Sequence, residues 1–199
     1  MRLAILLSGR GSNFAAIHGA IARGVLDAEI VAVISNRPQA PGIAHARELG
    51  LPATILDHKK FASRAAHEDA VLRVLADAKP DYIALAGYMR LLSARFIAAY
   101  PNQILNIHPS LLPAFPGLDA QAQAVAYGVK VSGCTVHFVD ENLDAGPIIV
   151  QRPVEVRDDD TGDTLAARII VEEHAAYADA LVRLATRPYR IEGRRVIFQ

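Results

Sequence analysis

The stretch Leu3-Ala4-Ile5-Leu6-Leu7-Ser8-Gly9-Arg10-Gly11-Ser12-Asn13 decides the fold. Five apolar residues without alternation suit a strand buried on both faces, as in a parallel sheet flanked by helices. The glycines let the backbone turn sharply, and residues 13–23 read as a helix whose first N–H groups could receive an anion. The pattern then repeats. Residues 30–34, 53–56 and 82–86 read as strands, 42–49 and 63–78 as helices, and Ser93 can cap a short helix ending near Tyr100. Gly50 and Pro52 close the second helix. Repeated βα units predict an α/β fold: a doubly wound, mostly parallel sheet with helices on both faces.

The pattern changes after Ile107. Residues 109–118 hold Pro109, Pro113, Pro116 and Gly117 and read as a loop. A helix over 120–127, strands over 133–139 and 147–156, and a helix over 164–185 capped by Asp163 or Thr161 are expected. A hairpin over 189–191 and 195–198, turning at Glu192-Gly193, would give the sheet a mixed C-terminal edge. No repeat or linker is visible, so 1–199 reads as a single domain with halves 1–100 and 101–199.

The 21 Lys and Arg balance the 21 Asp and Glu, which argues against nucleic acid, whose binding needs surplus positive charge. The apolar run 3–7 is too short for a signal h-region or a membrane span. Cys134 is the only cysteine, which precludes an intramolecular disulfide and fits a reducing compartment. It lies in an apolar strand and is expected to be a buried structural thiol. A soluble cytoplasmic protein is expected.

Two segments carry candidate chemistry. Asn106-Ile107-His108-Pro109-Ser110-Leu111-Leu112-Pro113 follows the apolar pair Ile104-Leu105. Residues two apart on a strand share a face, so the Asn106 amide and His108 imidazole project side by side. They either satisfy the turn that Pro109 begins or act on a carbonyl oxygen gaining negative charge while protons move. Asp140-Glu141-Asn142-Leu143-Asp144-Ala145-Gly146-Pro147 also follows a strand. A carboxylate there could pair with His108 and favour its charged form.

The Ser8–Asn13 loop is not a dinucleotide fingerprint. The third glycine would fall on Phe14, and the second strand ends in Ser35-Asn36 without an acidic residue. A monophosphate site or a plain tight turn remain. His18, His45, His58, His67 and His174 have no partners at metal-ligand spacing and are expected at the surface, whereas His137 could support the Asp144 loop. Asp158-Asp159-Asp160 resembles a solvated turn more than a cation loop, and no metal is expected.

The Asn-x-His-Pro-Ser-Leu-Leu-Pro segment at 106–113, joined to the Leu-Asp-x-Gly loop at 143–146, resembles the signature of the folate-dependent formyltransferases. The similarity runs from about residue 3 to about 180. It implies the formyltransferase fold, with 1–100 as the phosphate-binding half and 101–199 as the catalytic and folate-binding half. It also implies transfer of the formyl group of 10-formyltetrahydrofolate to the amine of glycinamide ribonucleotide by direct attack. Asn106, His108 and Asp144 would then be catalytic, and Cys134 and Ser110 would need no nucleophilic role. Gly11, Ser12 and Asn13 would hold the substrate phosphate, and Glu173 its ribose, with Glu172 as competitor. Arg64 would meet the folate carboxylate tail and Met89, Arg90, Leu91 and Leu92 the pterin. Asn106 and the loop residues Asp140, Glu141, Asn142, Leu143 and Asp144 would complete the folate contacts. The partners implied are these small molecules alone, for a monomer or homodimer.

Relatives commonly carry a histidine in the segment matching Gly117-Leu118-Asp119-Ala120-Gln121, and this chain has none there. That segment is expected to form a mobile flap. The rivals are a formyltetrahydrofolate hydrolase, a formyltransferase acting on another amine, and a noncatalytic nucleotide-binding module. A strand starting at residue 3 is expected to leave no room for the hydrolase's N-terminal regulatory domain. A chain ending about 15 residues past its last helix, without net positive charge, is expected to lack the C-terminal domain of a tRNA-directed enzyme.

Overall fold

Leu3, Ile5, Leu6 and Leu7 have no solvent exposure on β1 (Arg2–Leu7), and each buried side chain of this kind contributes roughly 1.5–3 kcal/mol. β1 pairs in parallel with β2 (Glu29–Ser35) and β4 (Tyr82–Leu85), and β2 pairs in parallel with β3 (Ala53–Ile55). The computed structural model describes residues 1–199, which divide into two compact units, Met1–Leu105 and Asn106–Gln199.

In the first unit the strands lie in the order β3-β2-β1-β4. The chain steps outward through α1 (Ser12–Ala22) and α2 (Pro41–Glu48) to β3, and then α3 (Arg64–Ala78) carries it back past β1 to β4. Right-handed crossovers therefore put α1 and α2 on one face of the sheet and α3 on the other. α1 and α2 are in contact. The order reverses between β1 and β4, and the carboxyl ends of strands at such a reversal are where open α/β sheets bind ligands. The loops after β1 and β4 both emerge there. Ser63 accepts the Ala66 N–H to cap α3, and Ser93 accepts that of Phe96 to cap α4 (Ala94–Ala99). The unit ends in the first residues of β5 (Ile104–His108).

One histidine departs from expectation. His67 is 1% exposed and bonded through Nε2 to the Leu56 carbonyl. It lies on the buried side of α3 with Val71 and Leu75, four and eight residues on, so helical periodicity outweighs its polarity.

The second unit is mixed. β6 (Val131–Phe138) runs antiparallel to β7 (Ile148–Glu155), which pairs in parallel with β9 (Arg195–Phe198), and β8 (Tyr189–Glu192) closes an antiparallel hairpin on β9. β6 begins before the expected Gly133, because Val131 and Ser132 already pair with Glu155 and Val154. α5 (Ala120–Tyr127) has the expected bounds. α6 (Gly162–Thr186) buries Leu165, Ile169, Glu173, Ala176, Tyr177, Ala180, Leu181 and Leu184, a stripe packed on β6, β7 and α5. Thr161 caps it through reciprocal bonds with Thr164. Asp160 is not solvated as expected: its side chain is 3% exposed, pairs with Arg168 and accepts the Arg157 N–H. No helix is long and apolar enough to cross a membrane.

Candidate active site

β5 delivers Asn106 and His108 to one face while Ile107 points to the other. His108 is 4% exposed. Its Nε2 lies 2.8 Å from the Phe115 carbonyl, an acceptor only, so Nε2 carries the proton. Nδ1 faces Asp144 Oδ2 at 3.4 Å, an ion pair whenever the ring is doubly protonated. The carboxylate is held from a second side, since Gly117 donates its N–H to the same Oδ2 at 2.9 Å.

His137 sits behind this pair at 2% exposure. Burial lowers its pKa, so the ring is neutral. Nδ1 donates to the Phe138 carbonyl at 2.8 Å, which leaves Nε2 as an acceptor. The Asn106 amide nitrogen lies 3.4 Å from that Nε2 and donates to it. One amide N–H is thereby fixed and the orientation of the other follows. Asp144 Oδ1 stands 3.9 Å from the same Nε2, but with a neutral ring this is no ion pair. The structure thus brings Asn106, His108 and Asp144 together and adds His137.

The supporting backbone explains the two motifs. Thr135 donates to the Ser110 carbonyl and accepts the Leu112 N–H, and Gln151 donates to the Leu112 carbonyl. The proline-rich loop is thereby pinned to β6 and β7 before it reaches Phe115. At Gly146 an added Cβ would fall 1.8 Å from the Phe138 carbonyl oxygen, so only glycine permits the loop to return against β6. Within that loop Asp140 accepts the Asn142 N–H, and Glu141, Asn142 and Leu143 are exposed.

Glu172 and Glu173 differ in surroundings. Glu173 is 7% exposed on the buried stripe of α6, whereas Glu172 is turned away and paired with Arg152 at 3.4 Å. The four-residue spacing from Leu165 through Ile169 already distinguishes them.

In the first unit Gly11 adopts φ +75° immediately before α1, and Gly42 donates to the Gly9 carbonyl at 3.1 Å. A Cβ at Gly11 would approach the Gly42 Cα to 2.9 Å, so the loop and the start of α2 touch backbone to backbone. Ser12 and Asn13 open α1, where N–H groups gather partial positive charge. After β4, Met89 and Leu91 are 63% and 67% exposed, with Arg90 and Leu92 partly covered. Arg64 reaches this segment, donating from Nη2 to the Leu91 carbonyl at 2.7 Å and from Nε to Glu68 at 3.1 Å. No group of three or more His, Cys, Asp or Glu side chains is placed to hold a metal ion.

The formyl transferase family model matches residues 1–181. The chain belongs to that family. It is 43% identical to the phosphoribosylglycinamide formyltransferase of Bacillus subtilis, over 92% of this chain and 94% of that protein. It is 47% identical over 92% of its length to the trifunctional purine biosynthetic protein adenosine-3 of Drosophila melanogaster, of which it spans 14%. Among solved structures, glycinamide ribonucleotide transformylase 1 from Symbiobacterium toebii superimposes with a TM-score of 0.96 at 46% identity, covering 100% of this chain and 93% of that one.

Proposed function

We propose that this chain is an enzyme of purine biosynthesis in the cytoplasm, transferring the formyl group of 10-formyltetrahydrofolate to the amine of glycinamide ribonucleotide. The observation that carries this reading is the Asn106–His108–Asp144 cluster with its buried His137, in a family member closely similar to enzymes named for that reaction.

The amine attacks the formyl carbon, a C–N bond forms, and the carbonyl oxygen becomes an oxyanion. Asn106, with one amide N–H occupied by His137, turns the other to that oxygen. His108, backed by the Asp144 carboxylate, donates a proton as the bond to the folate nitrogen breaks, and Asp144 helps relay the proton that the amine loses. Tetrahydrofolate and formylated ribonucleotide leave. No enzyme nucleophile enters, in keeping with a Cys134 thiol that burial pushes up to about 12.

For the other groups the roles are these. Gly11, Ser12 and Asn13 receive the substrate phosphate at the start of α1, and Glu173 accepts from the ribose hydroxyls. Met89, Arg90, Leu91 and Leu92 pack on the pterin, and the half-exposed guanidinium of Arg64 meets the folate tail. Asn106 and the loop residues Asp140, Glu141, Asn142, Leu143 and Asp144 contact the folate. The reaction uses no metal, and the working form is a monomer or homodimer.

Single-turnover transfer from 10-formyltetrahydrofolate, with and without glycinamide ribonucleotide, tests this reading. Tetrahydrofolate release that depends on the acceptor is the expected result. Formate released without acceptor would make the chain a hydrolase instead.

A further inference from the structure

The segment after β4 presents two large apolar side chains to solvent, an arrangement that water opposes and that needs ties elsewhere. Its backbone is tied at three points. At one end Met89 donates its N–H to Ser8 Oγ at 2.8 Å, and that hydroxyl donates to Asn36 Oδ1. In the middle the Leu91 carbonyl accepts from Arg64. At the far end Ser93 donates its N–H to Glu68 Oε1 at 3.1 Å and its hydroxyl to Glu68 Oε2. The last tie ends on Glu68 directly, and the middle one reaches it through Arg64, whose Nε donates to Glu68 Oε1.

Glu68 is 8% exposed, far from the usual solvated helix carboxylate. Its two oxygens accept three hydrogen bonds, a number that offsets the desolvation of a buried charge. None of those bonds is needed to form α3, which Ser63 already caps. Ser93 is in turn the cap of α4, so Glu68 fixes where the segment ends as well as where its middle lies.

We infer that Glu68 is a positioning residue for folate binding: its buried carboxylate holds Ser93 and Arg64, and through Arg64 the Leu91 carbonyl, so that Met89 and Leu91 stand ready before the pterin arrives. This rests on the assignment of residues 89–92 to the pterin. A preformed site binds more tightly because less ordering remains to be done on binding.

The test is tetrahydrofolate affinity under reducing conditions, by calorimetric titration, for the full chain and for Glu68→Ala, Glu68→Gln, Ser93→Ala and Leu91→Glu. Glu68→Ala should weaken tetrahydrofolate about tenfold and leave glycinamide ribonucleotide affinity within about twofold. Glu68→Gln should recover part of the loss, because its amide oxygen still accepts from Ser93. A purely structural role would lower the melting temperature without separating the two affinities. If Leu91→Glu loses the folate while a folded Glu68→Ala keeps wild-type affinity, the positioning role is overturned and the folate assignment stands. If Leu91→Glu also binds normally, the assignment of this segment falls, and the inference with it. Should Glu68→Ala not fold, Ser93→Ala decides, since it removes one bond to Glu68 and leaves the Arg64 pair: unchanged folate affinity would overturn the inference.

Discussion

Asp144 holds His108 Nδ1 and Gly117 N–H on one oxygen, Oδ2, at 3.4 and 2.9 Å. The carboxylate that faces the imidazole therefore also holds the backbone at Gly117. Asp144→Asn should lower kcat/KM by about 10²–10⁴, the range for losing general acid–base assistance, with the far-UV spectrum unchanged. Steady-state kinetics on the purified variant decide it, and near-normal turnover would remove Asp144 from the mechanism.

Asn106→Ala should cost about 10²–10³ in turnover, as loss of one oxyanion donor does. His137→Phe should cost less, because the amide survives and only its fixed orientation is lost. A His137 variant worse than Asn106→Ala would contradict the ordering.

Gly11→Ala should destabilise the fold by more than about 1–2 kcal/mol, the left-handed penalty alone, because the new methyl also meets Gly42 at 2.9 Å. For a chain of this length that is a fall of roughly 2–8 °C in melting temperature. An unchanged melting curve would show that the loop relaxes.

Much of the architecture was legible from local rules. Ser93 was readable as a cap and Thr161 as one of two candidates, because a side-chain oxygen at a helix start has few other uses, whereas Ser63, read as the first residue of its helix, proves to be the cap before it. The two residues 106 and 108 share a face by strand geometry alone. The acceptor at His108 Nε2 was not legible: it is the backbone carbonyl of Phe115, and any residue there presents the same atom. Nor was the contact of Arg64 with the Leu91 carbonyl, although Arg64 and Glu68 stand four apart, the spacing of a helical ion pair. Asp160 misled for a related reason, since three aspartates in a row read as solvated until Arg168 folds over one of them.

Arg168 holds the Asp160 carboxyl well below its ordinary value of 3.8. A depressed carboxylate adds stability above its unfolded pKa and loses it as pH falls toward the folded one. The melting temperature should therefore drop below about pH 4 in the wild type, and by less in Asp160→Asn. Parallel pH profiles would refute the pairing.

Burial pushes the Cys134 thiol up to about 12. It should resist iodoacetamide at pH 8 in the folded protein and react once denaturant is added. Alkylation at a free-thiol rate without denaturant would place it at the surface.

Asn106, His108 and Asp144 lie on one unbroken stretch within one unit, and their hydrogen-bond partners Phe115, Gly117 and His137, with Phe138 behind His137, lie in the same stretch. On the proposed reading, reactivity is inherited as a cassette. A recombination event that exchanged this segment between relatives would move the chemistry whole, while the phosphate loop at Gly11–Asn13 and the ribose acid at Glu173, encoded outside it, would go on choosing the acceptor. Selection can act on what is formylated without disturbing how.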